Sequence, residues 1–95
     1  MEKREGIAVY ILSSISGVLY IGVTNNLERR INEHKFSKGS IFTSKYKCTK
    51  LLYFESYTNM DEAIKREKQW KKWSRIKKIT LIKRINPKLI DLSRL

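Results

Sequence analysis

Five residues carry groups able to do chemistry with no familiar motif around them: Tyr10, Tyr20, Arg30, His34 and Glu67. The chain has no GxxxxGKS/T phosphate loop, no HExxH zinc helix and no CxxC pair, and no two acids stand at metal-ligand spacing. With one histidine, one cysteine and nine acids, most metallohydrolase schemes fall away. Taken singly, each of the five also has an ordinary role. Tyrosines on strands are common sheet aromatics. His34 on an amphipathic helix serves as readily for surface phosphate contact as for acid–base work, and Glu67 could simply pair with Arg66 or Lys71.

The elements that must position these groups follow from pattern. Ile7–Ser13 and Val18–Thr24 are β-branched and aromatic runs joined by a five-residue turn segment, a β-hairpin signature. Strand parity puts Tyr10 on a face with Ala8 and Leu12, and Tyr20 on a face with Val18 and Gly22. Asn25 with Glu28 three residues on reads as a capping box, opening a helix whose Leu27 and Ile31 face the sheet. Arg30 and His34, four apart, stand one above the other at the margin of that stripe, and Arg29 points to solvent.

Residues Phe36–Lys47 read as a loop and Lys50–Tyr57 as a third strand. A long helix then starts at Thr58 or Asn59, with Asn59 and Glu62 at capping spacing, and runs to about Trp73; Trp70 and Trp73 on it are packing residues. Ser74 opens a further helix carrying Ile76, Ile79 and Ile82, which ends before Pro87. The order ββ-α-β-α-α predicts an α+β fold, a small three-stranded antiparallel sheet flanked by helices.

The 95 residues suit a single domain, 1–95, with no repeat or Pro/Gly/Ser linker dividing them. The first apolar run, Ile7–Leu12, is six residues against the roughly 18 that span a bilayer, so no membrane role is expected. The lone cysteine closes no intrachain disulfide, and a reduced, cytoplasmic setting is the expectation. Lys and Arg number 21 against 9 Asp and Glu, a net charge of +12 that points to a polyanion. The charge is uneven: Lys65 to Arg84 hold ten bases and one acid, Glu67. A helix that needed only solubility would interleave both signs. Lys65, Lys68, Lys71, Lys72, Arg75, Lys77 and Lys78 are therefore the candidate nucleic-acid-binding residues.

In the order they occur, four segments resemble the GIY-YIG nuclease family. Ala8-Val9-Tyr10 and, ten residues on, Tyr20-Ile21-Gly22 are similar to its paired signature, with Ala8 where the family has glycine. Gly22-Val23-Thr24-Asn25-Asn26-Leu27-Glu28-Arg29-Arg30 resembles the segment that ends in the family's essential arginine. His34 stands where some members carry histidine, and Arg66-Glu67-Lys68-Gln69-Trp70 is similar to the segment bearing the family's metal-binding glutamate. The whole looks most like the small bacterial group in which the nuclease module is the entire protein. Asn86, beside Pro87, is the only asparagine of the C-terminal region, and no role is carried over to it.

The resemblance implies a metal-dependent endonuclease that hydrolyses DNA phosphodiesters, selective for branched or damaged structure. Tyr10 would be the base, Tyr20 its partner in orienting water, Arg30 the phosphate ligand, His34 an acid–base or phosphate-contacting group, and Glu67 the one protein ligand of Mg²⁺ or Mn²⁺. Chemistry permits this: Mg²⁺ keeps several waters and accepts a single carboxylate when substrate phosphates supply other ligands. A planar, always-charged Arg30 suits non-bridging oxygens. A tyrosine, with a reference pKa near 10, needs nearby cations to act as a base, and Arg30, the metal and the basic surface are the expected source. The expected partner is DNA, with RNA the alternative polymer and no small-molecule cofactor. A non-catalytic nucleic-acid-binding module that keeps the fold is the competing function.

Overall fold

The computed structural model describes residues 5–35 and 47–94. The loop expected at Phe36–Lys47 thus lies outside them except for its last residue. Strands β1 (Glu5–Ser13) and β2 (Leu19–Asn26) form the hairpin, followed by helix α1 (Leu27–Lys35). Strand β3 (Lys50–Tyr57), helices α2 (Met60–Lys72) and α3 (Arg75–Ile85) and a 3₁₀ turn at Leu92–Arg94 complete the order. The sheet is antiparallel with order β2-β1-β3, so β1 is central and the expected α+β architecture is what forms.

The hairpin closes on side-chain as well as backbone bonds: Ser14 N donates to Val18 O and Val18 N to Ser14 Oγ, both at 3.0 Å. Gly17 sits there at φ +94°, a conformation costly for any residue with a Cβ. The resulting register sets Tyr10 opposite Gly22 and Leu12 opposite Tyr20, so both tyrosines share one face. That face buries Ala8, Tyr10, Leu12 and Leu51 against Leu27 and Ile31 of α1. The opposite face buries Val9, Ile11, Ile21 and Leu52 against Ala63 and Trp70 of α2 and Ile82 of α3. One helix covers one face and two cover the other.

Two expectations shift. β2 continues to Asn26, so the residue whose side chain accepts from the helix's early N–H (Arg29 N, 3.0 Å) is Asn26, not Asn25. The reason is that Thr24 Oγ1 accepts from Asn26 N at 3.1 Å and keeps the chain extended past Thr24 to Asn26. Asn25 instead accepts from the Arg29 guanidinium at 3.2 Å, in solvent. The α2 cap stands as expected, Asn59 Oδ1 accepting from Asp61 N and Glu62 N. Ser74 caps α3 by accepting from Lys77 N.

Candidate active site

Tyr10 is the centre of the candidate site, and a missing side chain makes room for it. A Cβ built on Gly22 would overlap Tyr10 Oη and stand 2.6 Å from Cζ, so the ring lies across β2 where only glycine permits it. The backbone of Gly22 is not at positive φ, so the requirement here is space rather than conformation. The same crossing carries the hydroxyl away from the central strand toward the sheet edge.

There it meets α1. Arg30 Nε donates to Tyr10 Oη at 3.4 Å, and His34 Nε2 lies 3.2 Å from the same oxygen. Arg30 and His34 are one helical turn apart, so both reach the same oxygen. Tyr20 completes the group, its ring centroid 6.3 Å from that of Tyr10 and 5.1 Å from that of His34. The structure therefore brings four of the five sequence candidates together. His34 departs from the surface phosphate contact considered for it, because its side chain is buried and turned inward. Its Nδ1 is buried with no partner among the described residues.

The electrostatics follow from burial. Loss of water pushes the Tyr10 phenol up to about 12; the Arg30 hydrogen bond opposes this, while the charges of Tyr20 and Glu67 add to it. The cations expected to favour the phenolate are thus outweighed within the protein itself, and Tyr10 is a neutral phenol at pH 7. Burial, then the Arg30 charge, lowers His34 to about 4, so its ring is neutral and able to accept a proton. Arg30 is held above its ordinary value, first by its bond to Tyr10. With Arg30 donating to Oη, the phenol proton is free for Nε2, which assigns His34 the Nδ1–H tautomer.

Glu67 comes from the other layer. Ala63 and Trp70, on its own helical side, face the sheet, but they pack on the face opposite Tyr10. The carboxylate is therefore not stacked over the tyrosine; it acts on Tyr10 through its charge, from a helix that packs on β1 and β2. Its side chain is 15% exposed and its Oε2 lies 3.5 Å from Lys71 Nζ, one of the ion pairs the sequence left open. The other, with Arg66, does not form. Arg66 is drawn to β3, where Nε and Nη2 meet the two oxygens of Glu55 at 3.0 and 3.2 Å.

Among the described residues no three His, Cys, Asp or Glu side chains gather as a metal site. A single, partly exposed carboxylate fits a hard cation that retains waters and takes phosphate oxygens, as Mg²⁺ does. It does not fit zinc.

The basic candidates divide. Lys71 and Lys78 line a cleft of about 310 Å³ with Leu19, Tyr20 and Ile21. Arg75 reaches the hairpin turn, its Nη2 3.1 Å from where a Gly17 Cβ would stand. Lys77 Nζ sits 4.4 Å from the Trp73 ring centroid. Lys65, Lys68 and Lys72 are exposed, and at 3.6 residues per turn they fall on the side of α2 turned away from buried Trp70.

Sequence reading missed two participants. Glu33 Oε1 lies 3.3 Å from Arg30 Nη1 and fixes the guanidinium; its spacing from Arg30 was the available signal. Gly22 belongs to the Tyr20-Ile21-Gly22 motif, but its spatial role needs the register that sets it opposite Tyr10.

The GIY-YIG catalytic domain matches residues 7–80. A UPF0213 protein of Clostridium perfringens is 45% identical over 74 residues, 78% of this chain and 80% of its own. One from Syntrophus aciditrophicus is 41% identical over 80 residues, 83% and 91% of the two chains. The solution structure of a Bacillus halodurans UPF0213 protein superposes with TM-score 0.59 at 29% identity, covering 94% of this chain and 95% of that one. A hairpin that leans its tyrosine over a glycine onto an arginine of α1 and this family match describe the same module: the chain belongs to the GIY-YIG nuclease family.

Proposed function

We propose that this protein is a DNA endonuclease that hydrolyses a phosphodiester with one divalent cation, Mg²⁺ or Mn²⁺, held by Glu67. The observation that carries the reading is the buried Tyr10 hydroxyl, gripped by Arg30 and His34 at the sheet edge. Water attacks phosphorus as the bond to the leaving sugar oxygen breaks. Tyr10 Oη takes the water proton while its own proton moves toward His34 Nε2. The Arg30 guanidinium, about one third exposed, neutralises the non-bridging oxygens. A phosphate at Arg30 also offsets the charge that lowers His34, which eases the proton transfer. Tyr20 orients the water. The cation, when bound, stabilises charge on the phosphorane and acidifies water.

Each helix of the described residues is packed on the sheet, which leaves no free recognition helix. The substrate is thus met by shape, and branched or damaged DNA in the cytoplasm is the class we assign.

Cleavage of labelled branched DNA, linear duplex and single-stranded RNA in Mg²⁺ tests this. Wild type should cut branched DNA most efficiently. Tyr10→Phe should lose about 10²–10⁴-fold, the usual contribution of a general base. Glu67→Gln should not cut at any Mg²⁺ level, yet bind as well or better. Cleavage by Glu67→Gln at the wild-type rate would remove Glu67 as the metal ligand, and none by wild type with any divalent cation would replace the enzyme with a nucleic-acid-binding module.

A further inference from the structure

Lys71 stands between a carboxylate and a cleft. Its Nζ lies 3.5 Å from Glu67 Oε2, and the same side chain lines the cleft that Tyr20 and Lys78 share at the edge of β2. The Lys71 side chain is 56% exposed while that of Glu67 is 15% exposed, so the lysine can move off without unfolding anything and the carboxylate cannot. Lys78, on α3, has no ion pair among the described residues, although it lines the same cleft.

We propose that Lys71 is an exchangeable phosphate ligand. In the metal-free protein it is sequestered by Glu67. When a divalent cation takes the carboxylate, Lys71 is released into the cleft, where with Lys78 it holds the DNA phosphate next to the scissile one. The cation half of this proposal rests on Glu67 being the metal ligand; the sequestering half does not. The consequence is positive coupling between cation and DNA, reciprocal because both equilibria share one side chain. A single long contact whose lysine reaches into solvent is weak, and weakness is what exchange requires.

The metal-free half is read by duplex DNA binding in EDTA as a function of salt. Each phosphate neutralised adds about 0.9 to the log–log slope. Glu67→Gln should steepen the slope by about 0.9, since Lys71 is then free. Lys71→Gln should barely change the wild-type slope, yet cancel the gain in the Glu67→Gln background. Lys78→Gln should flatten the slope by about 0.9 in both backgrounds. An equal effect of Lys71→Gln in both backgrounds, or none in either, overturns the proposal.

The cation half is read without DNA, by direct Mn²⁺ titration. Lys71→Gln should bind Mn²⁺ about two- to fivefold tighter than wild type, the range of an exposed ion pair. Lys78→Gln should bind as wild type does; equal tightening by both variants would be a mere charge effect and overturns the exchange. Mn²⁺ bound by Glu67→Gln as by wild type overturns the cation half together with the assignment of Glu67. The EDTA comparison tells that failure apart from failure of the sequestering.

Discussion

At the scale of single residues, the candidate site depends on an atom that is absent. Gly22 lets the Tyr10 ring cross β2, and a Cβ there would stand 2.6 Å from Cζ. With Tyr10 as the proposed base, Gly22→Ala should lower cleavage through it, because displacing a reacting group by about an ångström costs on the order of 10²-fold. DNA affinity should be unchanged. In a Tyr10→Phe background the same substitution should cost nothing further, because the two act on one group; additive losses in a cleavage assay would locate the effect elsewhere. His34 gives a prediction on stability. Its folded value of about 4 lies below the unfolded one near 6.5. Between those values the unfolded chain binds the extra proton, so stability present above pH 6.5 falls as pH drops toward 4 and levels off below it. The loss is about 1.4 kcal/mol per pH unit from this group. Urea midpoints at pH 7 and pH 4.5 measure it, and His34→Gln should shrink the difference.

At the scale of elements, the sequence gives type and order readily, because period-2 apolar runs and 3.6-period stripes are local. Ends are less legible. The cap moved from Asn25 to Asn26 because Thr24 holds its own neighbour extended, a competition between two short polar side chains that spacing cannot rank. Long-range polar ties are not legible at all. Arg66 neighbours Glu67 in sequence, yet it bonds Glu55, which also accepts from Tyr53 and Tyr57 at 2.8 and 2.9 Å. Burial works to raise Glu55, but these bonds outweigh it and hold its carboxyl below the ordinary value. That clamp seats α2 on β3. Asn86 is a second case. Its Nδ2 donates to Leu52 O on β3 at 3.0 Å and to Ile90 O at 2.8 Å, and its Oδ1 accepts from Ile90 N at 3.0 Å. These bonds tie the end of α3 to the backbone of edge strand β3. The four-residue cluster was recoverable from motifs, but which layer carries Glu67 was not, since helical spacing says that a side faces the sheet without saying which face of the sheet.

At the scale of the molecule, a net charge of +12 is a single number and conceals two surfaces. Lys71, Arg75 and Lys78 lie along the edge that carries Tyr20 and the hairpin turn. Lys65, Lys68 and Lys72 lie on the back of α2, one turn and two turns apart. If DNA is held where the tyrosines are, only the first set releases counterions on binding, whereas a binder that used charge alone would engage both. The test is best made in Glu67→Gln, in which cleavage should be lost and Lys71 should be free. Changing Lys71, Arg75 and Lys78 together to Gln should lower the log–log salt slope by between roughly 2 and 3, at about 0.9 per phosphate. Changing Lys65, Lys68 and Lys72 together alters the net charge equally and should leave the slope almost as it was. Both triple variants substitute side chains that reach solvent or a cleft wall, so circular dichroism should show the same fold in each. Equal loss from the two triplets would mean that DNA is drawn to the whole basic helix pair, and the docking edge beside Tyr20 would no longer be the binding surface.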